Sequence, residues 1–171
     1  MTEPEATEPE TTGPGTQRVL DDTAARGLSV EVVSRPAADG LEAAAALLGV
    51  DPSSIVKSLV VKKHGGTFLF ALVPGGRQIS WPKLRRVVAV NKLSMPPAEV
   101  ALEATGFERG TISPMGSTTP WPVFADQNIV GKRVVLGAGA QGFSAFVDAD
   151  ALISAYGAEV ADITDPETPR D

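Results

Sequence analysis

The 171-residue sequence contains no cysteine and only one histidine, His64. Without cysteine, the chain has no disulfides, no thiolate ligands for zinc or iron–sulfur clusters, and no cysteine nucleophile. His64 lies between Lys63 and Gly65, where a hairpin turn is expected and a solvated imidazole is the ordinary outcome. We therefore expect no metal site and no cofactor, and catalysis through His64 is disfavoured.

Long hydrophobic runs are also missing. No apolar stretch approaches the roughly 20 residues that a bilayer-spanning helix needs. The first ten residues, MTEPEATEPE, lack the basic and apolar regions of a signal peptide. The sequence predicts a cytoplasmic protein with no membrane contact, of a length that suits one compact domain.

The charges are unevenly distributed along the chain, whose formal net charge is −6. Residues 1–16 carry four glutamates and no base, whereas residues 57–133 carry eleven lysines and arginines against four acidic residues, a local excess of +7. A basic middle of this kind can contact a phosphate backbone despite an acidic overall composition. An ordinary lysine-rich and arginine-rich surface is the alternative interpretation.

The apolar patterns place one domain between two tails. Residues 1–16 alternate Glu, Pro and Thr without apolar periodicity, which predicts a disordered acidic tail; residues 164–171 are expected to form a flexible C-terminal tail. Residues 17–163 are predicted to form a single domain. Within it, the apolar runs at 55–63 and 67–74 flank His64-Gly65-Gly66 and predict a β-hairpin, while helices are expected over 17–26, 81–88 and 97–104. Hairpins mixed with helices indicate an α+β fold.

Lys57 stands inside the strand-like run IVKSLVV. Strand alternation places it on one face with Ile55 and Leu59, which favours an inward direction. A lysine among apolar residues is costly unless its ammonium reaches solvent or meets an anion in a cleft. We interpret Lys57 as pointing into a pocket, with a lysine that reaches solvent from an edge strand as the alternative.

A glycine-rich segment, GFERGTISPMG, spans residues 106–116. Its glycines would let backbone N–H groups face a ligand, hold a water molecule or stabilise an oxyanion without a catalytic side chain. Such segments are also common connectors. Asp126 follows the apolar run PVFA and is interpreted either as an orienting carboxylate or as a residue that ends a strand.

A second glycine-rich segment, GAGAQG at residues 137–142, satisfies the dinucleotide-binding pattern G-x-G-x-x-G after a predicted strand. Only 29 residues follow Gly142, and the next segment, FSAFV, is more typical of a strand than of a helix. A dinucleotide-dependent enzyme therefore remains a third hypothesis, which the sequence disfavours.

In order along the chain, these segments resemble the YbaK-like aminoacyl-tRNA deacylase family, which includes the editing domain of bacterial prolyl-tRNA synthetases. The matching stretches are IVKSLVV at 55–61, TGFERGTISPMG at 105–116, VFAD at 123–126 and the glycine-rich 137–142, and the resemblance covers roughly residues 38–163. It implies a curved, mixed sheet approaching a barrel and flanked by helices.

The resemblance also implies a site. Lys57 matches the family's essential lysine and Gly110 the glycine of its loop, and both are expected to be catalytic. The residues expected to contact substrate are Thr111, Ser113, Pro114, Gly116, Asp126, Gly137, Gly139 and Ser144. The implied reaction is metal-independent hydrolysis of the ester in mischarged tRNA, helped by the substrate's own terminal ribose hydroxyl and a positioned water. Lys57 would hold the adenosine or phosphate end, and backbone around Gly110 the water or oxyanion.

Two departures from the family pattern stand out. Members often carry Ser-Gly-Gly-Lys-Arg-Gly where this chain has residues 137–142, and an aspartate where it has Ser144. These changes leave open which amino acid is removed. The leading hypothesis is a trans-editing deacylase that acts on mischarged tRNA, tRNA-Pro among the candidates, with an aminoacyl-tRNA synthetase as a further candidate partner. The alternative is a module that binds aminoacyl-tRNA or an aminoacyl ligand without hydrolysis.

Overall fold

The computed structural model describes residues 13–167. The helices among these residues are α1 (Pro14–Ala25), α2 (Leu41–Leu48), α3 (Trp81–Val88), α4 (Ala98–Thr105) and α5 (Ala149–Tyr156). The strands are β1 (Val30–Ser34), β2 (Val56–Lys62), β3 (Phe68–Pro74), β4 (Arg77–Ile79), β5 (Val123–Asp126), β6 (Arg133–Gly137), β7 (Phe143–Asp148), β8 (Glu159–Ala161) and β9 (Thr164–Pro166). The α+β class predicted from the sequence is confirmed.

The strands form two principal sheets and one small one. The first sheet has the antiparallel order β1-β7-β6, the second is mixed with the order β2-β3-β5-β8, and β4 pairs with β9. In the second sheet β2 and β3 are the predicted antiparallel hairpin, whereas β5 runs parallel to both β3 and β8. The described strands do not close into a barrel. The two principal sheets approach each other along the edges of β2 and β6, where Ile55 and Val135 form a single parallel bridge.

Local sequence explains where the helices start and stop. The Ser80 hydroxyl accepts a hydrogen bond from the Lys83 amide, and Pro82 occupies the first turn, so α3 begins at Trp81 as predicted. Asp148 likewise caps α5 by accepting from the amide of Ala151. Gly49 ends α2 in the left-handed conformation.

Two hydrophobic clusters fill the domain, one on each face of the second sheet. The larger contains Val56, Val60, Phe70, Ala101 and Leu136, and the smaller contains Val61, Leu69, Leu84 and Ile163, among others. Strand β3 is buried along its whole length, as a run without polar residues predicts for a strand covered on both faces.

Both ends of the domain differ from the predicted boundaries. Helix α1 begins at Pro14, three residues before the predicted domain start, because Gly15 and Thr16 already pack onto the domain. Residues 164–166 form β9 instead of flexible chain. Most of the predicted acidic tail (1–12) and the last residues (168–171) lie outside the described residues.

Candidate functional site

A cavity of about 420 Å³ lies where β2 approaches β6. Its volume is that of an ordinary small-ligand site. Most of its lining is apolar and comes from α2, β2, β6 and the chain around α4: Ala44, Leu48, Val56, Val60, Met95, Pro96, Ala98, Ala101, Ile112, Val135 and Leu136. The cavity lies beside the single bridge that joins β2 to β6, and residues of both sheets line it.

The polar lining of this cavity is basic. Lys57, Arg35 and Arg109 contribute three cations, and the described lining residues include no carboxylate. Two hydroxyl groups, those of Ser58 and Ser144, complete the set. A cavity with this balance attracts anionic groups to its mouth, as a phosphate-bearing ligand would require.

Lys57 lines the cavity, but its side chain is 46% exposed and is not directed into the core. Along β2, Val56 and Val60 join the larger cluster, whereas Leu59 and Val61 pack with the smaller one on the other face. The Lys57 ammonium lies 3.7 Å from the Glu167 carboxylate, which is itself half exposed. Lys57 thus lines the cavity from its exposed rim, in an ion pair that contributes little to stability in water, so the structure has features of both interpretations.

Gly110 is the exposed tip of the loop between α4 and β5, and it lines the cavity. Its φ of +89° lies in the region that favours glycine. Among the described residues, the Gly110 amide donates to no backbone or side-chain oxygen. An unpaired N–H at the edge of a cavity can donate to a water molecule or to a developing oxyanion.

The residues that follow Gly110 are buried and hydrogen-bonded within the loop. The Thr111 hydroxyl donates to the Glu108 carbonyl at 2.7 Å, and the Ser113 hydroxyl accepts from the Met115 amide at 2.9 Å. Pro114 is also buried. The structure therefore does not bring Thr111, Ser113 or Pro114 into the cavity lining, and their contacts fix the shape of the loop instead.

Gly137 and Ser144 face each other across β6 and β7 and both line the cavity. The Ser144 hydroxyl accepts a hydrogen bond from Arg35 Nε at 3.3 Å. A Cβ at position 137 would lie 2.7 Å from the Ile112 carbonyl oxygen, so only glycine fits beside the backbone of residues 111–112 as it stands. The Gly139 amide donates to the Thr111 carbonyl at 3.0 Å, which ties the second glycine-rich segment to the first.

Helix α1 contacts both glycine-rich segments, 106–116 and 137–142, through hydrogen bonds and close backbone packing. The Thr16 hydroxyl donates to the Ala138 carbonyl, and the backbone of Gly15 lies so close to Gly139 that neither position has room for a Cβ. Arg18 donates from Nη2 to the Gly106 carbonyl at 2.6 Å and from Nε to the Gly116 carbonyl at 3.2 Å.

Asp22 of the same helix accepts from the Gly116 amide at 2.9 Å and from the Tyr156 hydroxyl at 2.5 Å. Partial burial acts to raise the pKa of Asp22, but hydrogen bonds from Tyr156, Gly116 and Arg26 outweigh it and hold the pKa below its usual 3.8. Burial and the bond to Asp22 raise the pKa of Tyr156. Gly116 is thus held by α1 and does not line the cavity.

Asp126 is wholly buried at the end of β5, and the structure does not place it in the cavity. Its Oδ2 accepts from the amide and side chain of Asn128, and its Oδ1 accepts from the Ile163 amide and the Thr164 hydroxyl. The carboxylate therefore joins β5 to the chain that leads into β9. This is the strand-ending role that the sequence allowed.

The dinucleotide hypothesis is wrong. Residues 137–142 connect two antiparallel strands, β6 and β7, and the chain enters β7 directly after Gly142, so the strand–turn–helix geometry of that fingerprint is missing here. His64 occupies the exposed hairpin turn between β2 and β3 and does not line the cavity.

Sequence reasoning missed three residues of the site: Arg35, Ser58 and Arg109. Arg35 follows β1, and only the pairing of β1 with β7 brings it to Ser144. Ser58 adjoins Lys57, and strand alternation could have placed it on the opposite, core-facing side. Arg109 immediately precedes Gly110, and this position could have identified it as a candidate site residue.

The described residues thus form a two-sheet α+β domain, and its cavity has the size of a small-ligand site and a basic polar lining. Residues 35–155 match the family model described as the aminoacyl-tRNA editing domain, and the chain belongs to that family. The resemblance stated from the motifs is thereby confirmed.

The relatives fall into two groups. A proline–tRNA ligase from Thermosipho africanus is 39% identical over 97 residues, which cover 57% of this chain but only 17% of the ligase. The proline–tRNA ligase from Desulfovibrio desulfuricans is 30% identical over 146 residues, which cover 83% of this chain and 25% of that ligase. A protein from Enterococcus faecalis, EbsC, named as a candidate Cys-tRNA(Pro)/Cys-tRNA(Cys) deacylase, is 26% identical over 74% of this chain and 77% of its own. The chain thus corresponds to one part of the ligases and to most of EbsC.

Among solved structures, a candidate trans-editing enzyme for prolyl-tRNA synthetase superimposes with a TM-score of 0.82 at 29% identity. The superposition covers 90% of this chain and 98% of that one. Among residues 13–167, no helix is long and apolar enough to cross a bilayer, and no three His, Cys, Asp or Glu side chains are grouped to hold a metal ion.

Proposed function

We propose that this protein is a trans-editing deacylase that hydrolyses the ester between a wrong amino acid and the 3′ end of tRNA, with tRNA-Pro as the tRNA. The observation that carries the proposal is that Lys57, Gly110, Gly137 and Ser144, which come from three separate segments, all line one cavity. The names of the relatives, which concern proline–tRNA ligases and editing of their products, support the choice of tRNA.

The cavity suggests how the substrate would lie. The apolar interior takes the aminoacyl group, and the basic rim takes the last nucleotides of the tRNA. Lys57 is half exposed and, among the described residues, forms its ion pair with Glu167 at 3.7 Å, so a terminal phosphate or ribose can exchange with that carboxylate. Arg35 and Arg109 add to the same positive field.

Catalysis in this scheme comes from positioning and from a backbone donor. A water molecule attacks the ester carbonyl carbon, and the Gly110 amide donates to the oxyanion that forms. The bond from the carbonyl carbon to the ribose oxygen then breaks, and the ribose hydroxyl recovers a proton as the free amino acid leaves. We assign the proton relay to the neighbouring hydroxyl of the terminal ribose, which accepts the water's proton and passes its own proton to the departing ribose oxygen.

The remaining predicted residues have supporting roles in this proposal. Gly137 and Ser144 contact the substrate, while Thr111, Ser113, Pro114, Gly116 and Gly139 hold the two glycine-rich segments in place. The mechanism uses no metal ion. The substrate is supplied by an aminoacyl-tRNA synthetase that has mischarged its tRNA, which places the reaction in the cytoplasm.

The decisive experiment is a deacylation panel with catalytic amounts of protein and a set of mischarged and correctly charged tRNAs. Lys57→Ala should lower kcat/KM by roughly 10²-fold or more, because it removes the rim cation that holds the tRNA end. Lys62→Ala is the matched control, since Lys62 is an exposed lysine of the same strand that does not line the cavity. Activity in the presence of a chelator should be unchanged.

Three results would change the proposal. Hydrolysis by Lys57→Ala at the wild-type rate would overturn the role of Lys57 and keep the reaction. Loss of activity with chelator would overturn the metal-free mechanism. Binding of aminoacyl-tRNA without any turnover would favour the binding module, for which the serine at position 144 in place of the family's aspartate is the relevant difference.

A further inference from the structure

The ammonium of Lys57 already has an anionic partner within the protein. Its Nζ lies 3.7 Å from the Glu167 carboxylate, and both side chains are about half exposed. Of the three cations that line the cavity, Lys57 is the one with a carboxylate in ion-pair range among residues 13–167. The partner therefore stands at the residue to which the proposed function assigns the tRNA end.

The backbone, and not the ion pair itself, carries Glu167 to this place. Strand β9 pairs with β4 in antiparallel register, and directly after β9 the Glu167 amide donates to the Gly76 carbonyl at 3.0 Å. Gly76 follows β3, whose residue Val73 pairs with Lys57 in the hairpin. The turn between β3 and β4 thus brings the end of β9 beside the start of β2.

Side chains of the domain anchor the same strand. The Thr164 hydroxyl donates to the buried Asp126 carboxylate at 2.9 Å and accepts from Arg77 Nε at 2.7 Å. Lys83 donates to the Thr164 carbonyl at 3.0 Å. The backbone before Glu167 is therefore fixed, and its carboxylate can leave the ion pair by side-chain rotation alone.

This contact lies outside the part of the chain that matches the editing-domain family. The family match ends at residue 155, and β9 with Glu167 comes after it. The ion pair is thus a feature that the family match does not contain.

An exposed ion pair of this kind is weak, because water screens it and both side chains lose freedom when it forms. A phosphate of the substrate competes with the carboxylate for the same ammonium, since either anion can neutralise Lys57. The carboxylate also repels that phosphate while it remains nearby. Each effect lowers the apparent affinity for an anionic ligand by a small factor.

We infer that Glu167 is a positioning residue that acts through Lys57: it occupies the ammonium between substrates and thereby lowers the affinity of the cavity for the phosphate-bearing end of the tRNA. The inference rests on the proposed function for the identity of the ligand. Glu167 leaves Lys57 before the ester reacts, so it touches neither the substrate nor the reacting atoms. Its effect therefore falls on KM and leaves kcat unchanged.

The first test is the kinetics of Glu167→Gln, which removes the charge and keeps the shape of the side chain. We expect KM for mischarged tRNA to fall roughly 2-fold to 5-fold at low salt, the range that an exposed ion pair allows, with kcat within about 2-fold of wild type. The difference should shrink at about 0.5 M salt, where screening weakens both the ion pair and the repulsion. Glu159→Gln is the matched control, since Glu159 is an exposed carboxylate of β8 with no ion-pair partner among the described residues.

A binding measurement separates this inference from the proposed reaction. Adenosine 5′-monophosphate and adenosine, which differ by one phosphate, are titrated into wild type, Glu167→Gln, Lys57→Ala and the double variant. Glu167→Gln should bind the monophosphate roughly 2-fold to 5-fold more tightly and should bind adenosine as the wild type does, and the gain should be missing in the Lys57→Ala background. That pattern without hydrolysis of any ester would overturn the proposed deacylase and keep the role of Glu167.

Three results would overturn the role of Glu167. Unchanged KM and unchanged affinity for the monophosphate in Glu167→Gln would show that the carboxylate does not compete. Weaker binding would show that Glu167 holds Lys57 in the orientation that the ligand needs. An equal gain with and without Lys57 would show a general effect of charge. In each of them hydrolysis of mischarged tRNA would still stand.

Discussion

Arg18 and Gly106 are joined by a hydrogen bond of 2.6 Å, although 88 residues separate them in the sequence. The same guanidinium donates to Gly116, and its carbon lies 4.6 Å from the centre of the Phe107 ring. One side chain of α1 therefore holds both ends of the loop whose tip is Gly110. Residue 18 lies outside the range that matches the editing-domain family, yet it shapes the candidate active site.

We expect Arg18→Ala to lower the free energy of unfolding by about 1.5–3 kcal/mol, because two carbonyls lose a charged donor and the Phe107 ring loses its cation. The loop should also become less well positioned, so that kcat for deacylation falls more than KM rises. Urea unfolding and steady-state kinetics measure the two effects. Gln17→Ala is the control, since Gln17 is exposed on the same helix and bonds only to Asp21 in the described structure. Equal effects of both substitutions would contradict the role of Arg18 in holding the two ends of the loop.

Asp22 gives the domain a stability that depends on pH. Its pKa is below the ordinary value of 3.8 in the folded protein, so the unfolded chain binds this proton more readily than the folded one. The stabilisation is therefore complete above the unfolded pKa and is lost as the pH falls through the lower, folded pKa.

Asp22→Asn removes this titration and keeps the shape of the side chain. The difference in the free energy of unfolding between wild type and variant should shrink as the pH falls from about 6 to about 3. Chemical denaturation at several pH values measures it. A constant difference across that range would show that the contacts of Asp22 do not depend on its charge.

Replacing Gly137 with serine, which family members often carry at this position, should lower both stability and activity. A Cβ there meets the Ile112 carbonyl oxygen at 2.7 Å, so Gly137→Ser must push back the chain beside Gly110. We expect a loss of about 1–3 kcal/mol in stability and a lower kcat. Ala140→Ser adds the same hydroxyl elsewhere in the segment and should change neither the stability nor kcat by much. If Gly137→Ser were faster than wild type, residues 111–112 would have to move readily.

Asp126 should stabilise the folded protein through the four hydrogen bonds that it accepts at the end of β5. Asp126→Ala leaves several buried donors unpaired, and we expect it to cost about 3 kcal/mol or more. Asp162→Ala removes a half-exposed partner of Lys83 and should cost less than about 1 kcal/mol. A higher KM for Asp126→Ala without loss of stability would instead support the substrate contact that the sequence suggested.

Local patterns in the sequence were sufficient for the hairpin of β2 and β3, for α3 and for the two glycine-rich segments, because turn residues and apolar periodicity determine these elements. Lys57 was found through the cost of a lysine in an apolar run, and the segment 106–116 through its glycines, whereas the family resemblance singled out Gly110 within it. Both line the cavity, and Lys57 does so with its side chain half exposed. Alternation gives the two faces of a strand and does not say which one is more open.

Residues that depend on distant pairing were not predictable. Arg35 reaches Ser144 only because β1 joins β7, and α1 reaches the loop at 106–116 only through tertiary packing. The buried hydroxyl of Ser58 is invisible without coordinates, since any serine in a strand could find a partner. Asp126 was expected to contact substrate because of the family resemblance, and the local sequence does not reveal its partners, Ile163 and Thr164, almost forty positions further along the chain.

The absence of side chains at Gly110, Gly137 and Gly139 changes what mutagenesis can reveal. Alanine scanning normally deletes atoms, but at these three positions it adds one, and the amide N–H of Gly110 survives every standard substitution except proline. A screen of that kind would record crowding at the glycines and could not register the loss of the donor itself. The informative replacement is an ester in place of the amide that Gly110 contributes, introduced by chemical synthesis, because it removes one hydrogen-bond donor and leaves the outline of the protein intact.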